Sequence, residues 1–257
     1  MALASRTTRQ YDGEEKANIV LPVSQTKTAL EALLRERTLM PSVSYACSGD
    51  RRLASFVAGI PALDRYWGGG VPRGQVSEIW GPPSSGRTAL ACVVAAMAIQ
   101  AGNDVAWIDP GDTLDPAAAT SAGVDLERLF WLRGGPGLPR TISATATILG
   151  SGIFELVVLD LSDLSAFEAQ RLPASTWLRF QRLIEGTPVA LLILGRRHLF
   201  RGPLGFSLEL RRVRHRWQGV GPGRLLGGVA AEATLAAGTR APAAPSSTVE
   251  LERIAGR

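Results

Sequence analysis

Lysine is almost missing from this chain. Lys16 and Lys27 are the only two in 257 residues, and the other 26 of its 28 basic residues are arginine. No lysine after Lys27 is therefore on hand for any catalytic role. Cysteine is nearly as scarce. Cys47 and Cys92 have no metal-ligand spacing, and Cys92 sits in an apolar run where it reads as a small core residue. The two histidines, His198 and His215, show no metal-like pattern and read as surface residues. No apolar stretch reaches the roughly 20 residues a bilayer span requires. Residues 1–20 are polar and mixed in charge, without the apolar centre of a secretory signal. The expectation is a cytoplasmic protein without disulfides, with no membrane partner.

What remains is ample for a core. Apolar residues make up 46%, the net charge is +5 and the pI about 9.8. Residues 54–194 alternate short apolar strands with helices. Val76–Trp80, Asp104–Asp109, Leu129–Leu132, Glu155–Leu161 and Pro188–Leu194 read as strands, the last two as continuous buried runs. Helices are expected over about 88–99, from Asp115, over 140–149 and over 165–185, the last interrupted near Pro173. That alternation predicts an α/β fold with a mostly parallel sheet and helices on both faces. After Phe206 the pattern turns to alternation, with further strands over 229–235 and 248–254, and predicts an antiparallel C-terminal extension. Gly238–Ser247 reads as a mobile loop. Residues 1–27 read as weakly structured, 28–50 as an N-terminal arm, and 51–257 as one core domain.

The stretch Gly81-Pro82-Pro83-Ser84-Ser85-Gly86-Arg87-Thr88 lies between the first strand and its helix. It matches the phosphate-binding pattern G-x-x-x-x-G-K-[ST] except at one position, where Arg87 replaces lysine. In a working loop backbone N–H groups wrap the phosphates, lysine reaches the β/γ-phosphates, and the hydroxyl residue binds Mg²⁺. Arginine keeps the charge but is planar, forked and bulkier.

Leu63-Asp64, Gly68-Gly69-Gly70-Val71-Pro72-Arg73-Gly74, the loop itself, WIDPGDTLDP (107–116), GVDLERL (123–129), VVLD ending in Asp160 and LELRR (208–212) follow one another in an order that resembles the RecA recombinase core. The resemblance runs over about 28–254 and is strongest over 63–133. It implies a RecA-like fold in which Thr88 serves Mg²⁺ and Asp160 stands near the metal. It also marks departures. The position of the family's catalytic glutamate holds Gly111, with Asp112 next to it. Ala117-Ala118-Ala119 stands where an aromatic residue would stack on adenine, and Arg196 where a glutamine would sense the γ-phosphate. A lost general base costs roughly 10²–10⁴ in rate. A lost positioned cation costs about 10²–10³. The expectation is no enzymatic turnover, no required cofactor, and at most weak binding of ATP with Mg²⁺ through backbone donors. The segments matching the family's two DNA loops, 162–171 and 196–205, are short.

One basic cluster stands out: Arg196, Arg197, Arg201, Arg211, Arg212, Arg214 and Arg216. Phosphate contact, a solvated strand face and an acidic protein partner all fit it. Near the N-terminus, Leu30, Leu33 and Leu34 form an apolar helical stripe, followed by Val43 and Tyr45 in a short strand. This resembles the device by which RecA protomers join head to tail. A RecA-like chain stripped of lysine and base resembles the ImuA group. That resemblance implies a non-catalytic accessory role in bacterial translesion synthesis and DNA damage tolerance. Its implied partners are RecA, an inactive Y-family-like polymerase subunit and a C-family polymerase, with weak non-specific DNA contact. The alternatives are a slow DNA-dependent ATPase using Arg87, and a RecA-shaped cell-division inhibitor.

Overall fold

The computed structural model describes residues 55–134, 137–165, 167–168, 171–200, 205–235 and 247–252. The N-terminal segment and arm, including Leu30, Leu33, Leu34, Val43 and Tyr45, lie outside the described residues, as do Arg201 and most of the 238–247 loop. The described chain runs α1 (Pro61–Tyr66), β1 (Val76–Trp80), α2 (Arg87–Gln100), β2 (Val105–Asp109), α3 (Pro116–Ser121), a 3-10 turn (Leu126–Arg128), β3 (Leu129–Arg133), α4 (Leu138–Ser151), β4 (Leu156–Asp160), α5 (Ala174–Ile184), β5 (Ala190–Gly195), β6 (Ser207–Gln218), β7 (Leu225–Leu235) and β8 (Ser247–Glu252). One eight-stranded sheet has the order β3-β2-β4-β5-β1-β6-β7-β8.

Period-two alternation sorts the strand residues onto two faces. Ile79, Trp107, Val158, Leu192 and Leu208 pack under α1–α3 with Leu90, Val94 and Ile99. Val76, Ile108, Val157, Leu159 and Ile193 pack with Ile148, Trp177 and Phe180 of α4 and α5. Coverage on both faces explains why these strands read as unbroken apolar runs. Helix α2 is buried nearly all round, and its many alanines let it sit close to the sheet. Helix α5 buries only Trp177, Phe180 and Ile184. Its Gln181 accepts from Val76 N and donates to Gly74 O, which fixes the start of β1.

The break expected near Pro173 is present: residues 167–168 are helical, and α5 begins after Pro173, which takes its N-cap place. Two other expectations change. The C-terminal extension is not antiparallel throughout. Strand β6 pairs parallel to β1, at Glu78↔Ser207 through Trp80↔Glu209, and only β7 and β8 run antiparallel. The arginines of β6 do not alternate cleanly either. The β6–β7 register shifts between Arg212 and Arg214, and Arg211 through His215 are all exposed. Among the described residues no helix is long and apolar enough to cross a membrane.

Candidate functional site

The carboxyl ends of the parallel strands converge on the loop between β1 and α2, the place where open α/β sheets hold ligands. The loop's shape is set by a few contacts. Gly81 N donates to Gly195 O, and Ser85 N to Pro82 O. A Cβ on Gly81 would stand 2.1 Å from Leu210 O, so only glycine fits against β6 there. Gly86, with φ of 96°, caps α2 in the left-handed region that glycine tolerates. Pro82, Pro83 and Ser84 face solvent, Ser85 is fully buried, and Thr88 is half-buried on the first turn of α2.

Arg87 is 7% exposed. Its NH1 and the Ser85 hydroxyl have no hydrogen-bond partner. Burial pulls the Arg87 guanidinium below its ordinary pKa; nearby Asp160 opposes that and Arg196 adds to it. Asp160 ends β4. Its Oδ1 accepts from Ser162 N at 2.9 Å, and its Oδ2 is buried without a partner. Burial pushes the Asp160 carboxyl above the usual carboxylate range against its bonds to Ser162, with Asp109 adding to the rise and Arg87 opposing it. Two groups of opposite charge thus lie near one another beside the loop, each with an unsatisfied atom. Asp109 is occupied otherwise, accepting from Thr113 N, Thr113 Oγ1 and Leu114 N to shape the loop after β2.

The space beside Gly111 is bounded by another loop. A Cβ on Gly111 would stand 2.9 Å from the Asp163 Cβ. Asp163 in turn accepts from Arg196 NH2 at 3.0 Å, joining the loops after β4 and β5. Asp112, with φ of 52°, is held by two bonds from Arg133, at 2.8 and 3.1 Å. That hydrogen bond keeps the Asp112 carboxyl below its ordinary pKa. Arg133 also stacks on Trp131 at 4.3 Å. Ala117 and Ala118 are exposed on α3, which Asp115 caps.

The structure divides the arginine cluster. Arg196 and Arg197 follow β5, whereas Arg211, Arg212, Arg214 and Arg216 lie along β6, on the other side of β1. Arg211 is paired with Glu209 at 2.7 Å. A cleft of about 400 Å³ between the loop and β6 is lined by Pro82, Pro83, Glu209, Arg211 and Arg212.

Sequence reasoning missed a polar network beneath the loop, which engages His198, a surface residue as expected. Glu78, fully buried in β1, accepts from Leu199 N at 2.6 Å and lies 2.6 Å from His198 Nδ1. Ser207 donates to Glu78 at 3.3 Å and accepts from Trp80 Nε1 at 3.0 Å. The available signal was a lone carboxylate inside the apolar strand VSEIW.

Residues 41–168 match the RecA N-terminal domain family. The chain is RecA-like. It is 43% identical to Protein RecA of Rubrobacter xylanophilus over 116 residues, covering 44% of this chain and 33% of that protein. It is 36% identical to Protein RecA of Lactobacillus delbrueckii over 112 residues, covering 43% and 34%. With Protein RecA of Picosynechococcus it shares 30% over 149 residues, covering 58% and 40%. The chain spans about a third to two fifths of these relatives' length. The family match ends before β5, and so before every arginine of the cluster.

The fold implies Mg²⁺ with a nucleotide. By donor type, Thr88 and the unsatisfied Asp160 Oδ2 fit a hydrated ion. Bound there, the ion would neutralise phosphate charge. Among the described residues no cluster of three or more histidine, cysteine or acidic side chains could hold a metal by itself.

Proposed function

We propose that this chain is a non-catalytic, RecA-like accessory protein of DNA damage tolerance, acting in translesion synthesis through protein partners. The observation that carries the reading is the state of the phosphate site. Arg87 stands in the lysine position, and the space beside Gly111 is taken up by Asp163, itself tied to Arg196. Backbone donors and the N-terminus of α2 remain to attract phosphate, so nucleotide binding is weak and not required. The partners of this reading are RecA itself and the polymerase-like subunits of the ImuA setting. The N-terminal arm supplies the contact to RecA and restrains its filament.

Two measurements test it. ATP turnover should be negligible with or without single-stranded DNA. Turnover comparable to a recombinase would overturn the reading. Purified RecA should bind the full chain better than a chain starting at Gly49. Equal binding would remove the arm as the contact, and no binding to either would shift the partner to the polymerase-like subunit.

A second reading, a slow DNA-dependent ATPase, draws support from Arg87 NH1 and Ser85 Oγ, two buried polar atoms of the loop that lack a hydrogen-bond partner. The same turnover assay separates the two.

A further inference from the structure

Helices α4 and α5 cover one face of the sheet and carry charge of one sign only. Neither contains an aspartate or glutamate, and together they hold Arg140, Arg179 and Arg182. Arg179 and Arg182 stand one turn apart on the exposed side of α5, and neither meets an acid among the described residues. Exposed helix faces commonly pair opposite charges at that spacing. Here the arginines have no such answer.

The same two arginines border a cavity of about 290 Å³, lined also by Ser175, Leu178 and Leu183. Leu178 is 42% exposed, whereas Trp177, Phe180 and Ile184 of the same helix are buried against the sheet. An apolar lining bordered by two guanidiniums suits a chain segment that brings carboxylates and aliphatic side chains together. A nucleic acid would answer the arginines, but Leu178 and Leu183 offer no planar face to a base.

The chain itself contains such a segment. Asp12-Gly13-Glu14-Glu15 is the one place in its sequence where three of four consecutive residues are acidic, and Ile19-Val20-Leu21 follows close behind. The segment is within reach. The described chain begins beside the end of α5: Phe56 lies under the Arg73 guanidinium at 4.0 Å, and Arg73 donates to Pro188 O at 3.0 Å. A Cβ on the adjacent Gly74 would stand 3.6 Å from the carbonyl of Ile184, the last residue of α5. Residues 22–54 then have only the length of α5 to cover, roughly 16 Å.

We infer that residues 11–21 dock on the outer face of α5. Asp12, Glu14 and Glu15 answer Arg179 and Arg182, and the Ile19–Leu21 stretch covers Leu178 and Leu183. Exposed ion pairs contribute little singly, and the contact holds because tethering keeps the segment's local concentration high. The strap uses neither the phosphate loop nor the Leu30, Leu33 and Leu34 stripe, so it stands or falls separately from the accessory role.

The scarcity of lysine supplies the test. A lysine-specific protease can cut this chain only after Lys16, inside the strap, and after Lys27, outside it. On the full chain, cutting after Lys16 should be slower than in a free peptide of residues 8–30. Arg179→Glu combined with Arg182→Glu should speed that cut by roughly 2- to 30-fold, the worth of two exposed ion pairs, and leave the cut after Lys27 unchanged. Glu14→Arg combined with Glu15→Arg should do the same, measured against a peptide with those changes. The combined charge swap should restore protection, and high salt should weaken it in the wild type. Equal rates for the wild type and the α5 variant, or a charge swap without rescue, would overturn the inference and leave this face to an acidic partner protein. Protection that grows with protein concentration would place the segment on a second copy and overturn the strap within one chain.

Discussion

His198 Nδ1 lies 2.6 Å from Glu78 Oε2, the end of a carboxylate that has no exposure to water. His198 belongs to the connection after β5 and Glu78 to the strand that feeds the phosphate loop. The same carboxylate takes the backbone N–H of Leu199. A buried charge is tolerated because each of its bonds also pins a connection that would otherwise be loose. Glu78→Ala should cost about 2–4 kcal/mol, since it leaves the Leu199 N–H without its acceptor and removes the carboxylate partner of His198 Nδ1. Glu78→Gln should cost less. Chemical denaturation measures both, and a loss under ~0.5 kcal/mol for Glu78→Ala would show the network to be idle.

Arg87→Met should stabilise the protein free of ligand. It removes a buried cation with an unpaired N–H and keeps the side-chain bulk. The expected gain is ~1 kcal/mol or more, about 2–4 °C in melting temperature. Inorganic phosphate or ATP should raise the melting temperature of the wild type more than that of the variant, which keeps only the backbone donors of the loop and the N-terminus of α2. A variant that melts lower than the unligated wild type would contradict the reading of Arg87 as unsatisfied.

Arg87→Lys combined with Gly111→Glu should not create rapid ATP hydrolysis. The new side chain at 111 would begin 2.9 Å from Asp163 Cβ, so the carboxylate and the Asp163–Arg196 pair compete for one space. Adding Asp163→Gly should free that space and increase phosphate release above the double variant. A double variant that already turns over at a recombinase rate would show that Asp163 is no obstacle.

Burial raises the Cys92 thiol to about 12, with Asp160 adding to the effect. Cys92 should therefore resist thiol reagents at mildly alkaline pH until the protein unfolds. The sign for stability follows. Between about 9 and about 12 the folded state holds a proton that the unfolded state has released, so stability falls as pH rises through that window. Cys92→Ala should remove this part of the slope in alkaline denaturation curves. Rapid native-state labelling of Cys92 would refute the assignment.

The sheet was legible in the sequence because its central strands are buried on both faces and read as apolar runs. The phosphate loop was legible because its glycines carry fixed spacing. Other features depend on meetings between distant residues. Asp163 and Arg196 are 33 positions apart, and Glu78 and His198 are 120 apart. Neither pair has a periodic signature. The register shift after Arg212 was hidden for a different reason. A bulge adds a residue without changing composition, so a run of arginines looks like alternation until its partner strand is in place.

A glycine that opens a phosphate loop is usually credited to the nucleotide. Gly81 has a second claim on it, since the carbonyl of Leu210 occupies the place where any side chain would begin. The loop and strand β6 are therefore fitted together like a mortise and its tenon. A chain of this design can surrender the lysine and the catalytic acid and still be unable to part with the glycine. Its phosphate-loop signature would persist as joinery long after it had ceased to report on chemistry.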